Sequence, residues 1–259
     1  MPETALSNRR SALLLAHPGH ELLVLTLVRR IKPLVTVLTD GSGSQAESRL
    51  TYSKALLAAC GARTGAVFGA FSDKAGYERI QAGDAGYFVA LRDRIAEDYL
   101  AAGIEAVISD ALEYYNPMHD LACVLADGVA RRLAQRRGEP VLRAVIPIRP
   151  RGEVARWESG PDIAELDLTA QDRVFKSEAF EDYQPLASEI RSTREREGEG
   201  ALREFLSPHE AMTQAEPSLA FEPFYESWGR RRIAEGVYTT LITYQDDVRP
   251  IAEAILRES

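Results

Sequence analysis

Between residues 11 and 148 the chain swings repeatedly from short apolar runs of strand length to segments long enough for a helix, and this alternation narrows its fold more than any other feature. The runs are SALLLA (11–16), LVTVL (34–38), GAVFGAFSD (65–73), IEAVISDA (104–111) and PVLRAVIPI (140–148). Runs that are apolar almost throughout suit strands buried on both faces, and strands joined through helices run parallel. Helices are expected over 21–30, over 47–59 with a stop at Gly61, over 87–101, and from Asn116 to about residue 136. Asn116 is placed to cap the last of these and Pro117 suits its first turn. The predicted class is α/β, with a mostly parallel sheet flanked by helices.

Beyond residue 150 the rhythm weakens. RPRGEVARWESGPD (149–162) reads as a loop, SEIRSTREREGEGALREF (188–205) as a charged, exposed helical stretch, VYTTLITYQDD (237–247) as a strand and 250–257 as a closing helix. With no internal repeat and no clean linker, one domain spanning 1–259 is expected, its core at 11–150 and a C-terminal elaboration at 151–259. A chain of 259 residues that is 45% hydrophobic can bury a substantial core. Its formal charge of −8 argues against a nucleic-acid partner and for a small-molecule substrate; an oligomer is compatible with it. Cys60 and Cys123 read as buried thiols in a reducing compartment. No apolar run reaches membrane-spanning length and the N-terminus lacks a leader pattern, so a cytoplasmic protein is expected.

The stretch LLLAHPGHELLVL (13–25) places two of the chain's four histidines around a Pro-Gly just after the first strand. In open α/β sheets ligands collect beyond the carboxyl ends of the strands. His17 and His20 lie there, and His119 falls in the first turn of the helix after the fourth strand. Three neutral imidazoles leave an open position on a metal, the usual arrangement of a catalytic zinc site, although iron takes such a set as well. His209, in LSPHEAM, has no partner in sequence and reads as a loop histidine. Candidate bases are Glu21, Asp40, Asp110 and Asp120. Glu21 and Asp120 equally suit a helix N-terminus, and Asp40 and Asp110 equally suit turn amides. Arg149 and Arg151 flank Pro150 where a guanidinium could grip a carboxylate or phosphate. Tyr114 and Tyr115 suit stacking on a sugar or aryl ring, or packing. GSGS (41–44) lacks the P-loop lysine and the dinucleotide spacing, so no nucleotide cofactor is expected.

AHPGHE (16–21) resembles the A-H-P-D-D-E signature of the LmbE/PIG-L family, and NPMHD (116–120) resembles its H-P-D-H signature. VLTDGSGS with Arg49 after it, ACGARTGAVFGAFSD (59–73) and KSEAFEDYQP (176–185) add matches in the family's order. The resemblance implies a Rossmann-like fold and a zinc-dependent N-deacetylase acting on N-acetylglucosamine conjugates. It makes His17, His20 and His119 the metal ligands, with His20 replacing an aspartate, and Tyr114 the group that stabilises the oxyanion. Arg49 and Asn116 match substrate-side positions. Gly19 stands where the family has its general-base aspartate, Asn116 replaces the histidine that assists the leaving group, and Met118 replaces that histidine's supporting aspartate. The expected function is zinc-dependent hydrolysis of a small N-acyl amide, first of all N-deacetylation of an amino-sugar conjugate. Alternatives are an inactive homologue that binds a sugar or acyl ligand, and a three-histidine metalloenzyme of different chemistry. Gly19→Asp, best combined with Asn116→His, is expected to restore the customary base.

Overall fold

In a computed structural model of the chain, which describes residues 4–43, 47–148 and 163–257, the first strand shows why the apolar runs are continuous. Every residue of β1 (Ser11–Leu15) is buried. Ala12, Leu14 and Ala16 enter one hydrophobic cluster, while Leu13 and Leu15 enter another. Successive side chains of a strand point to opposite faces, so a strand covered on both sides needs apolar residues at every position.

Among the described residues seven strands form the sheet: β1, β2 (Leu34–Thr39), β3 (Arg63–Phe71), β4 (Ala106–Asp110), β5 (Leu142–Ile146), β6 (Ala164–Glu165) and β7 (Phe205–Pro208), in the order β3-β2-β1-β4-β5-β7-β6. β1 to β5 are parallel. One face carries α4 (Asp73–Gln81), α5 (Ala85–Ala101), α6 (Pro117–Arg137) and α10 (Arg249–Leu256). The other carries α1 (Thr4–Ser7), α2 (Leu25–Ile31), α3 (Leu50–Ala59) and α7 (Ala170–Asp182). Two exposed-sided helices, α8 (Ala187–Glu197) and α9 (Phe224–Ala234), complete the order. The chain leaves β1 for β2 and β3 on one side, then returns to β4 and β5 on the other. The reversal falls between β1 and β4, and this architecture binds ligands at the carboxyl ends of the strands flanking such a point. Among the described residues no helix is long and apolar enough to cross a membrane.

The α/β class and the parallel core agree with the sequence reading; four local expectations do not. The helix expected over 21–30 is split into a 3-10 turn, His20–Val24, and α2. Glu204 causes the second start, because its carboxylate accepts the amides of Thr26 and Leu27 at 2.8 and 3.2 Å. Residues 73–81, for which no helix was expected, form α4, with Ser72 as a cap that accepts from the Ala75 amide. The charged stretch gives α8 as expected, but its last residue opens β7, which pairs antiparallel with β5. VYTTLITYQDD is not a strand: it lines a cleft and ends in the helical turn Tyr244–Val248. Val237, Tyr238, Thr239, Thr240 and Ile242 of this segment line that cleft rather than join a sheet. The loop expected at 149–162 lies outside the described residues.

Lys176 secures the second start from α7. Its ammonium lies 3.0 Å from Glu204 Oε1, with both side chains at most 1% exposed. Burial pushes the Lys176 pKa down while Glu204 pulls it back up. Lys176→Met keeps the bulk but strands a buried carboxylate, and it is expected to lower unfolding free energy by about 3–5 kcal/mol. Arg196→Met, at an exposed pair with Glu197, is expected to cost about 0–1 kcal/mol. Equal shifts in denaturant midpoint for the two variants would contradict this.

Candidate active site

After β1 the chain reverses at Pro18 and Gly19. Gly19 has φ +107°, a conformation that L side chains rarely adopt, and a Cβ built there would meet the tip of the Leu186 side chain, so the turn favours glycine. The Gly19 amide donates to Glu21 Oε2 at 2.7 Å. Glu21 is fully buried; Ser53 donates to its other oxygen, and the Ser53 hydroxyl lies 2.9 Å from that of Tyr183. Burial holds the Glu21 carboxyl above the usual range, against the opposing pull of these bonds. Glu21 therefore shapes the turn that carries the two histidines.

The turn sets the rings of His17 and His20 with centroids 5.4 Å apart. His119 comes from the first turn of α6, where the Asn116 side chain accepts the Met118 amide at 2.8 Å and Pro117 occupies the opening position. Its ring lies 5.1 Å from that of His17 and 4.7 Å from that of His20. Imidazoles sharing one tetrahedral ion, each nitrogen about 2.0–2.1 Å from it, have centroids roughly 5 Å apart. His17 Nδ1 lies 2.9 Å from Asp73 Oδ1 and 2.9 Å from Thr39 Oγ1. His20 Nδ1 lies 3.0 Å from Asp110 Oδ2, which also accepts the Ala16 amide at 2.8 Å. A carboxylate only accepts, so each Nδ1 carries the proton and each Nε2 keeps its lone pair. Carboxylates behind ligating histidines fix tautomer and ring orientation in this way. Burial pushes the His17 pKa down, keeping the ring neutral as a metal ligand requires. Burial raises the Asp73 pKa, but bonding to His17 outweighs it and holds the carboxyl below the usual range. This donor set fits a divalent ion such as zinc.

The remaining candidates separate. Asp40 serves its turn, with Oδ1 accepting the amides of Ser42 at 2.9 Å and Asp73 at 3.2 Å. Asp120 accepts the amides of Glu113 and Tyr114 at 3.2 and 3.0 Å. Glu21, Asp40 and Asp120, expected as bases, thus hold backbone, and Asp110 stands behind His20. Tyr114, expected at the oxyanion, is buried with φ +57° and packs on Phe221 and Tyr244 at 5.3 and 5.5 Å. Tyr115 is the tyrosine beside the histidines, its ring 6.4 Å from that of His119. Arg49 Nε donates to the Gly41 carbonyl at 2.6 Å, which places its guanidinium at the rim near Pro18. Asn116 caps α6 and donates from Nδ2 to the Tyr77 hydroxyl at 2.9 Å. Arg149 and Arg151 lie outside the described residues. Asp73 and Thr39 were missed as histidine partners, although Asp73 ends the GAVFGAFSD run; spacing alone does not show which strand end faces which. A cleft of about 600 Å³ opens beside Tyr115 and Asn116.

His209 lies on a loop, as expected, but it has partners in space. Its Nε2 lies 2.9 Å from Asp127 Oδ2 and 4.0 Å from Cys123 Sγ, and donor atoms of these three residues lie within 4.8 Å of one another. Asp127 is already engaged, with Oδ1 accepting from Arg143 Nε at 2.8 Å and Oδ2 from the Met212 amide at 3.0 Å. A cation entering there would meet the buried Arg143 guanidinium, so the cluster suits a clamp between α6 and β5 better than a metal. Cys60 and Cys123 are free and buried, as expected.

The conformation of Gly19 sets a stability cost on the aspartate that would restore the customary base. Gly19→Asp is predicted to lower unfolding free energy by about 2 kcal/mol or more, adding steric overlap to left-handed backbone strain. Gly138→Asp, at φ +73° with nothing within 4 Å, should cost less. An unchanged unfolding midpoint for Gly19→Asp would contradict the turn described above.

No protein family and no curated protein matches the sequence. Among solved structures, the crystal structure of the A40926 pseudoaglycone deacetylase Dbv21 aligns with a TM-score of 0.50 at 16% identity, over 81% of this chain and 100% of that one. A deacetylase triple mutant (Orf2*T) involved in the teicoplanin biosynthetic pathway gives 0.49 at 14%, over 77% and 97%. The zinc-inhibited form of teicoplanin deacetylase Orf2 gives 0.47 at 11%, over 77% and 97%. The chain shares the α/β fold of the A40926 enzyme.

Proposed function

We propose that this chain is a metal-dependent hydrolase of an N-acyl amide, in first place an N-deacetylase of an amino-sugar conjugate, acting as one domain of the LmbE/PIG-L kind. The observation that carries the reading is the three-histidine cluster, with two Nδ1 atoms held on buried carboxylates, at the reversal point of a parallel sheet. Support comes from the fold shared with a protein named as a deacetylase.

A divalent ion on three imidazoles supplies Lewis-acid polarisation of an amide carbonyl and lowers the pKa of water. The chain's own residues do the rest. Asp73 and Asp110 hold the Nδ1 protons, so His17 and His20 offer Nε2 in one fixed tautomer. Glu21 holds the turn that sets their spacing. Arg49, at the rim beside Pro18, supplies a positive charge for an acidic group on the substrate, and Tyr115 walls the side toward the cleft. Asn116 spends its oxygen on the Met118 amide and its amide group on Tyr77, so it binds and orients rather than moving a proton.

One observation favours a binder instead: the carboxylates of Glu21, Asp40 and Asp120 each accept backbone amides through one oxygen. A positioned base is worth about 10²–10⁴-fold, so its absence predicts a slow hydrolase rather than none. The test is acetate release from N-acetylglucosamine conjugates by protein stripped with a chelator and reloaded with zinc, manganese or cobalt. Release that returns with metal is expected. Ligand binding without release from any loaded form would select the binder. Asp110→Asn, measured on folded protein, is predicted to weaken metal affinity about 10–100-fold, as loss of a carboxylate behind a ligating histidine does. His209→Ala should leave it unchanged, and the opposite pattern would reject the site.

A further inference from the structure

Next to the histidines the chain builds a run of aligned aromatic rings that the hydrolase reading does not require. Tyr115 and Phe224 stack at 4.6 Å and 19°, and Phe224 and Trp228 continue at 6.2 Å and 14°. Phe224 and Trp228 remain 46% and 40% exposed. The run starts at the site, since Tyr115 is the ring beside His119. Tyr77, Asn116 and Tyr238 border the same cleft. The wall is anchored: the Phe224 amide donates to the Tyr114 carbonyl at 2.9 Å, and the guanidinium carbons of Arg231 and Arg232 each lie 5.7 Å from the Trp228 ring. A volume of about 600 Å³ suits a ligand well beyond a single acetylated hexose. Near-parallel rings set one stacking direction, which favours a planar group over a flexible chain.

We propose that the cleft is a second subsite, which binds a planar aromatic group carried by the same substrate whose amide lies at the histidines. This rests on the hydrolase reading and adds to it a substrate class, an aryl-bearing amino-sugar conjugate. Exposed aromatic rings in water carry a hydrophobic cost that an aryl partner removes.

The probes are 4-methylumbelliferyl and methyl N-acetyl-β-D-glucosaminide, which differ only in the aryl group. Affinity for zinc-loaded protein is measured by calorimetry and, in a Trp157→Phe background that leaves Trp228 as the only tryptophan, by fluorescence quenching. The aryl glycoside is expected to bind about tenfold more tightly, with quenching of Trp228. Phe224→Ala and Trp228→Ala, each with unaltered metal content and circular dichroism, are expected to remove that preference. Equal affinities, no binding of either probe, or a preference that survives both variants would overturn the subsite. Acetate assays on the same solutions separate the two claims. An aryl preference without acetate keeps the subsite and rejects the hydrolase, whereas acetate from both glycosides at equal kcat/KM and equal affinity does the reverse.

Discussion

The carboxylate of Asp110 ties the fold to the site. It is fully buried at the end of β4, and one of its oxygens accepts both the Ala16 amide, just past β1, and the Nδ1 proton of His20. An unpaired buried carboxylate is costly, so these bonds are strongly enforced. They lock the two strands flanking the reversal of the sheet and orient a histidine in the same act. Asp73 repeats the arrangement from the start of α4 on His17, with Thr39 at the end of β2 as a second partner. The site is therefore a property of the strand ends rather than of one loop, and disturbing it should be felt in both stability and ligand binding.

Much of the core was legible because its signals are local. Continuous apolar runs mark strands covered on both sides, and Asn116-Pro117 marks the start of α6 through a cap and a fixed φ. The convergence of His17, His20 and His119 followed from placing each at the carboxyl end of a strand. What the sequence hid was long-range. Asp73 is 56 residues from His17, and Glu204 is 178 residues from the Thr26 amide it caps. His209 seemed isolated because its partner, Asp127, lies 82 residues away on another element. The strand expected at 237–247 failed for a different reason: its apolar and β-branched residues are used to line a cleft, and the segment ends in a helical turn rather than pairing with a strand.

Where AHPGHE (16–21) differs from the A-H-P-D-D-E pattern that it resembles, its residues are consistent with one another in physical terms. A glycine in place of the aspartate permits the left-handed turn at residue 19, whose space is filled by Leu186 from the C-terminal part of the chain. Glu21 closes that turn through the Gly19 amide, and Ser53 with Tyr183 supports Glu21 from below. The C-terminal elaboration thus reaches the site from two directions, at Gly19 through Tyr183 and Leu186 and at the cleft through α9. A change in substrate class would be expected to appear in those segments, while the strand ends keep the histidines in place.

Under the proposed function the three histidines, and not the Cys123–Asp127–His209 cluster, would hold a metal ion. X-ray absorption at the zinc edge on zinc-loaded protein separates the two directly, because imidazole nitrogen and thiolate sulfur scatter differently and lie about 2.0–2.1 and 2.3 Å from the ion. A three-histidine site gives a shell of nitrogen and oxygen with the multiple-scattering signature of about three imidazoles and no sulfur. A zinc–sulfur distance, or a signal with a single imidazole, would contradict it.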